Sequence, residues 1–345
     1  VSMSKKPKGI VGALIGIVIF LAVTLISLLG VFYYFTKDYN HENLPSEFSS
    51  IPPISQGIVN IALFGIDTRD ENSFKGLSDS IMILSVNTDT GQLKVISVMR
   101  DTLTLIEGYE TPKKINAAYS LGGPSLAIKT LNNNFDLDIK EYATVNFNGM
   151  ANIIDAVGGL EINVNENEIE NKYGINAMIY EQSRLLGVKP SYIKEAGLQT
   201  LNGIQAVSWA RIRYAATDSG EINDAGRTER QRYVMKLLME KVLNRNIAEY
   251  PKIIKALLPF METSLSYNDI IKLSSVFQRE ITFSQTRIPL DSYTLESPKG
   301  FGSVKYYDFD FASKIVYSYI YEDIPQEEFL KTNKPLDTKG WYYKR

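Results

Sequence analysis

The segment from Gly9 to Phe35 contains no charged residue. At about 1.5 Å per residue, a helix of that length exceeds the roughly 30 Å hydrocarbon core of a bilayer, so it is expected to span one. Lys5, Lys6 and Lys8 precede the segment, whereas Lys37 is followed at once by Asp38 and then by Glu42. That asymmetry predicts a cytoplasmic tail over 1–8, a single-pass membrane anchor over 9–35 and an extracellular remainder. No small-residue cleavage site follows the apolar run, which favours an uncleaved anchor over a signal peptide. Residues 36–57 are polar, carry Pro45, Pro52 and Pro53, and read as an extracellular stalk.

What remains is long enough for a sizeable core: the chain has 345 residues, 44% of them hydrophobic. Its net charge of -2 supplies no global positive field of the kind nucleic-acid binders use, so any phosphate binding must be local. There is no cysteine and a single histidine, His41. Thiol nucleophiles, zinc–thiolate sites, Ser-His-Asp triads and His-rich metal sites are therefore excluded. An enzyme of this composition must use carboxylates, Lys or Tyr as acids and bases. Any metal must be oxygen-ligated, such as magnesium or manganese.

The apolar run Ile58 to Ile66 reads as a buried strand, Ser80 to Val86 as a second and Gln92 to Met99 as a third, returning through a turn at Asp89, Thr90 and Gly91. If the three alternate in direction, Asp67, Arg69, Asp79, Arg100 and Asp101 meet at one sheet edge. Two readings are open there: ordinary surface ion pairs, or a divalent-cation site on Asp67 and Asp79. Further on, Gly122-Gly123-Pro124 opens a helix to about Phe135, Ile139 to Phe147 is a strand, and Asn148 to Val157 a helix closed by Gly158-Gly159. Leu160 to Val164 is another strand, which makes the domain mixed α and β. The poorly patterned stretch 172–192 reads as helical in part and as a mobile flap over whatever the sheet binds.

Seven of the chain's twelve arginines are Arg69, Arg100, Arg211, Arg213, Arg227, Arg230 and Arg232. After a short helix beginning near Asn202, an extended run would point Arg211 and Arg213 to one side. Arg227, Arg230 and Gln231 share a helix face at spacings of three and four, close to a helix start. Guanidiniums there oppose the helix dipole unless an anion sits among them, and Arg forks match phosphate oxygens. The competing reading pairs them with Glu221, Asp224 and Glu229 on a solvated face.

In order, Gly65-Ile66-Asp67-Thr68-Arg69, Ser78-Asp79-Ser80, Ser97 to Asp101, Lys114 to Ala117, Gly122-Gly123, Gly158-Gly159, Leu201-Asn202-Gly203, Ala210 to Arg213 and Asp224 to Gln231 resemble the motifs of the LytR-CpsA-Psr family. The resemblance covers roughly 58–290 and leaves 291–345 as a C-terminal extension. It implies an α/β/α three-layer sandwich around a mixed central sheet, preceded by one transmembrane helix. It also implies a hydrophobic tunnel for a polyprenyl chain with the pyrophosphate at its mouth, and transfer of a teichoic acid, capsular or similar glycopolymer from polyprenyl pyrophosphate to peptidoglycan. By motif position, Asp67 and Asp79 would hold magnesium or manganese. Arg100, Arg211, Arg213, Arg227 and Gln231 would grip the pyrophosphate, and Asp224 would be the base. Arg69, Asp101, Lys114, Asn116 and Arg230 would support the site, with Asp101 the next candidate base. The alternatives are a lipid-pyrophosphate hydrolase, a non-catalytic lipid binder and a transcriptional attenuator; the short cytoplasmic tail speaks against the last.

Overall fold

A computed structural model describes residues 40–68, 73–245, 258–274, 279–290 and 300–335, together with isolated positions between them. The expected membrane anchor and Arg69 lie outside the described residues. No helix among the described residues is long and apolar enough to cross a membrane.

The predicted three-strand unit is present: β1 (Ile58–Asp67) pairs antiparallel with β2 (Leu77–Asn87), which pairs antiparallel with β3 (Gln92–Val98). On the far side of β1 lies β4 (Glu141–Asn146), parallel to it. A separate two-stranded antiparallel sheet pairs β5 (Leu160–Val164) with β6 (Gly197–Leu201). β7 (Met261–Thr263) and β8 (Thr282–Ile288) complete a six-stranded mixed sheet in the order β8-β3-β2-β1-β4-β7.

Helices cover both faces, because the strands alternate apolar residues to either side. Phe64, Ile66, Ile81, Ile83 and Ile96 meet Ile128, Leu131 and Phe135 of α1 (Ala117–Phe135). α1 begins at Ala117, earlier than the glycine pair suggested, and breaks at Gly122 and Gly123, where Gly123 takes φ +65°. The opposite layer holds α2 (Phe147–Ala156), α3 (Glu166–Glu170), α4 (Ile175–Leu185), α5 (Gly203–Ala210) and α6 (Asn223–Leu243). α5 starts at a capping box: the Asn202 side chain accepts from Gln205 N at 3.0 Å, and Gln205 Oε1 accepts from Asn202 N at 3.0 Å. A Cβ on Gly203 would lie 1.9 Å from the Ala151 carbonyl oxygen, so glycine is what lets α5 approach α2.

Three expectations change. Much of the stalk belongs to the folded body: Phe48 is buried in the main core, and Leu44 and Ile51 pack against it. The C-terminal extension does too, since α7 (Phe309–Tyr321) adds Phe311, Ile315 and Tyr319 to that core. The stretch read as a flap is helical in part as expected, forming α4, but α4 is anchored by the fully buried Ile175 and Ile179; its irregular hydropathy reflects a helix with one narrow buried stripe.

Candidate active site

β1 and β2 pair with a register shift between Gly65 and Ile66: Gly65 faces Ser80 while Ile66 faces Ser78. Asp79 is thus the extra residue of a bulge, a device that re-aims a side chain out of the strand alternation. Its carboxylate accepts from Arg100 Nη1 at 2.8 Å and, on its other oxygen, from Arg227 Nη1 at 3.5 Å. Arg100 follows β3, whose end lies beside the start of β2 because the two are antiparallel. The same guanidinium forks onto Asp224, Nε to Oδ2 and Nη2 to Oδ1, both at 3.1 Å. Arg227 Nη2 donates to Asp224 Oδ2 at 3.2 Å, and Arg213 Nε stands 3.8 Å from Asp224 Oδ1. Three guanidiniums therefore close around two carboxylates. Alongside, Lys114 Nζ donates to Asp101 Oδ1 at 2.6 Å. Asn116 ties the edge together through its backbone, accepting from Ser78 N and donating to the Arg100 carbonyl, each at 3.4 Å.

The electrostatics follow from this ring. Burial would raise the Asp224 pKa, but Arg227, Arg100 and Arg213 outweigh it and hold the carboxyl below its ordinary value. Burial disfavours the charge on Arg100, yet Asp79 and Asp224 keep it above the usual guanidinium range. Arg227, only 3% exposed, is the strained member. Burial, and then Arg100 and Arg213 against the help of Asp224 and Asp79, lowers it to about 10. Its Nε is buried without a hydrogen-bond partner among the described residues. A buried cation with a vacant donor is what an incoming oxyanion would satisfy.

An apolar cavity of about 230 Å³ adjoins the ring. Leu63, Met82 and Val145 line it from the sheet, Met150, Ile153 and Val207 from α2 and α5, and Val234, Met235 and Leu238 from α6. Gly65, Ser80, Arg211 and Gln231 line its polar end. Gln231 is one helical turn beyond Arg227, so the predicted α6 face holds for that pair. Arg211 differs from expectation. α5 continues through Ala210, and Arg211 caps it in helical conformation rather than in an extended run. Its guanidinium sits 4.6 Å from the Phe147 ring centroid and donates to Gln182 Oε1 of α4 at 3.1 Å.

Arg230 does not join the ring. At 100° per residue it falls on the flank of α6 next to the Arg227 face, where it is 1% exposed and bound to the equally buried Glu168 by Nε at 2.9 Å and Nη2 at 2.6 Å. It also donates to the carbonyls of Ile212, Ala215 and Ala216 at 3.3, 3.0 and 3.2 Å. The placement fits a supporting role and not pyrophosphate contact. Glu168, which sequence reasoning missed, accepts from Trp209 Nε1 at 2.8 Å as well. The signal in sequence was the Asn165/Glu168 capping box of α3; its partner 62 residues on leaves no periodic trace.

Among the described residues no group of three or more His, Cys, Asp or Glu forms a metal cluster. Asp67 closes β1 opposite Leu77, two residues before Asp79 on β2. The Asp67 side chain lies outside the described residues; the Asp79 carboxylate, an oxygen donor of the kind hard divalent cations take, is held by Arg100 and Arg227.

The model of the LytR_cpsA_psr family matches residues 34–311 of the chain. An Enterococcus faecalis protein named polyisoprenyl-teichoic acid–peptidoglycan teichoic acid transferase TagU is 30% identical over 275 residues, 78% of this chain and 83% of the relative. Crystalline TagV of B. subtilis superposes with a TM-score of 0.58 at 23% identity, over 77% of this chain and 98% of that one. The LytR-CPS2A-psr family protein YwtF (TagT), solved with bound octaprenyl pyrophosphate lipid, gives 0.56 at 17%, over 81% and 99%. With the motifs in order, the mixed sheet in place and a family model spanning most of the molecule, the chain belongs to the LytR-CpsA-Psr family.

Proposed function

We propose that the protein is a phosphotransferase that moves a polyprenyl-pyrophosphate-linked glycopolymer onto peptidoglycan and releases polyprenyl phosphate. One observation carries the reading: an apolar cavity whose polar end is lined by Arg211, Gln231 and Ser80 lies next in sequence to a cluster of guanidiniums, Arg100, Arg213 and Arg227, that share Asp79 and Asp224 as partners. A ligand with a long apolar tail and a pyrophosphate head matches both halves. The names borne by relatives agree, since one is a teichoic acid transferase and another was solved with a polyprenyl pyrophosphate.

The lipid tail lies in the cavity, and Arg100, Arg213 and Arg227 turn from the carboxylates to the pyrophosphate, with Arg211 and Gln231 at the cavity's polar end. Asp224 loses cationic partners as they turn, so its pKa rises toward the range where a carboxylate accepts a proton effectively. An acceptor hydroxyl then attacks the glycan-bearing phosphorus and gives its proton to Asp224. The bond from that phosphorus to the bridging oxygen breaks, and the oxygen leaves on polyprenyl phosphate. Positioned guanidiniums stabilise the charge that develops. Asp79 and Asp67 would hold a magnesium or manganese ion, which neutralises pyrophosphate charge when bound. Asp101 with Lys114, Asn116 and Arg69 support the edge. The uncharged segment 9–35 anchors the chain, with the catalytic domain on the outer face of the membrane.

The test is incubation of the full-length protein with a lipid-linked glycan and peptidoglycan oligomers, followed by mass spectrometry. A ligated phosphodiester that appears with magnesium and disappears in excess chelator is expected. Undiminished ligation in chelator would remove the cation from the mechanism, and no ligation with any glycan would remove the function.

A further inference from the structure

Tyr173 and Tyr214 are 50% and 59% exposed, yet their rings pack together with centroids 5.4 Å apart at 59°. Single exposed aromatics are commonplace; an ordered pair is less so. The order is built from the backbone. Asn171 accepts from Tyr173 N through Oδ1 at 2.8 Å and donates through Nδ2 to the Tyr214 carbonyl at 2.9 Å. The two residues after Tyr214 are pinned by Arg230, and Asn167 Nδ2 adds a bond to the Ala216 carbonyl at 3.3 Å. Tyr214 also directly follows Arg213, whose guanidinium approaches Asp224. Lys172 Nζ lies 5.4 Å from the Tyr173 centroid.

Resting on the transferase reading above, we infer that Tyr173 and Tyr214 form the subsite on which a sugar ring of the acceptor glycan strand stacks before its hydroxyl reaches Asp224. Pyranose rings present a face of C–H bonds that packs on aromatic rings, while phenol hydroxyls meet sugar hydroxyls. Tyrosine offers such a surface at low entropy cost, and here the loop is already fixed. The acceptor is favoured over the donor by direction. Attacking and leaving oxygens are roughly in line at phosphorus, and the leaving lipid phosphate points toward the cavity. The acceptor must therefore arrive from the other side, at Asp224, where the Arg213–Tyr214 segment runs. Lys172 complements the carboxylates that peptidoglycan strands carry.

The test uses full-length protein in detergent micelles and a soluble peptidoglycan tetrasaccharide. Direct binding is read by calorimetry without donor, and transfer by KM and kcat with donor present. Tyr214→Ala and Tyr173→Ala should each weaken tetrasaccharide binding and raise the acceptor KM by about 3- to 10-fold. Donor affinity, kcat at saturating acceptor and Tm should hold, and Tyr214→Phe should restore KM to within about 2-fold. Binding that is absent in wild type or unchanged in both Ala variants overturns the subsite. A rise in donor Kd with unchanged acceptor KM overturns it in favour of a donor subsite. Lost tetrasaccharide binding in the Ala variants without any transfer by wild type would keep the subsite and sink the transferase reading instead.

Discussion

Asp224 receives three guanidiniums in the resting site and, in the proposed mechanism, acts on a hydroxyl, and the two demands separate experimentally. Its pKa is lowered in the folded protein, so its ion pairs contribute stability that is present above the unfolded value of about 3.9 and lost as pH falls through the folded value. The Tm difference between wild type and Asp224→Asn is therefore expected to close as pH drops below about 4; a difference that widens there would contradict the assignment. At neutral pH the same variant should keep lipid binding while transfer falls by about 10² to 10⁴. Arg227 makes the complementary prediction. Its charge is disfavoured by burial, so inorganic pyrophosphate should raise Tm by relieving it. Arg227→Ala should lose that shift and about 10-fold or more in lipid affinity, and Arg227→Lys should recover only part, lacking the planar fork. An undiminished thermal shift in Arg227→Ala would place the anion elsewhere. The meeting of Asp79, Arg100 and Asp101 at one sheet edge was legible in sequence, because it follows from the alternating directions of β1 to β3. The direction of Arg230 was not, since one flank of a helix differs from the next by a single step of 100°.

Among the elements, the loop between α5 and α6 matters most, since it carries Arg213 and Tyr214 and has no regular structure of its own to fix it. Arg230 and Glu168 provide that fixation through a buried pair and three carbonyls. Removing one member of such a pair typically costs about 3–5 kcal/mol. Glu168→Gln keeps hydrogen-bonding atoms but drops the charge, so it should lower Tm and, at a temperature where it is fully folded, raise the lipid Kd while Arg230→Lys fails to compensate. A normal Kd and Tm in Glu168→Gln would show that the loop stands without the pair. Strand and helix identities followed from periodicity. β1 to β3 match within a few residues, whereas the extended run through Arg211 was lost to a helix that a capping box starts and tertiary packing prolongs. The contributions of Phe48 and of α7 to the core were not legible, because their partners are far away in sequence.

For the whole molecule, the proposed function requires an anchored chain, a lipid substrate and a wall-bound acceptor. A protease added to intact protoplasts should digest the chain, leaving only a fragment the size of the anchor and tail; survival of the full chain, with a surface control cleaved, would reverse the proposed orientation. Passage of the glycan-bearing phosphorus from polyprenyl phosphate to a sugar hydroxyl is tested most directly by following polyprenyl phosphate release from a labelled lipid-linked glycan with and without peptidoglycan oligomers. Release that depends on the oligomers and matches ligated product one for one is the expected result. Release at the same rate without them, with free glycan phosphate accumulating, would contradict it.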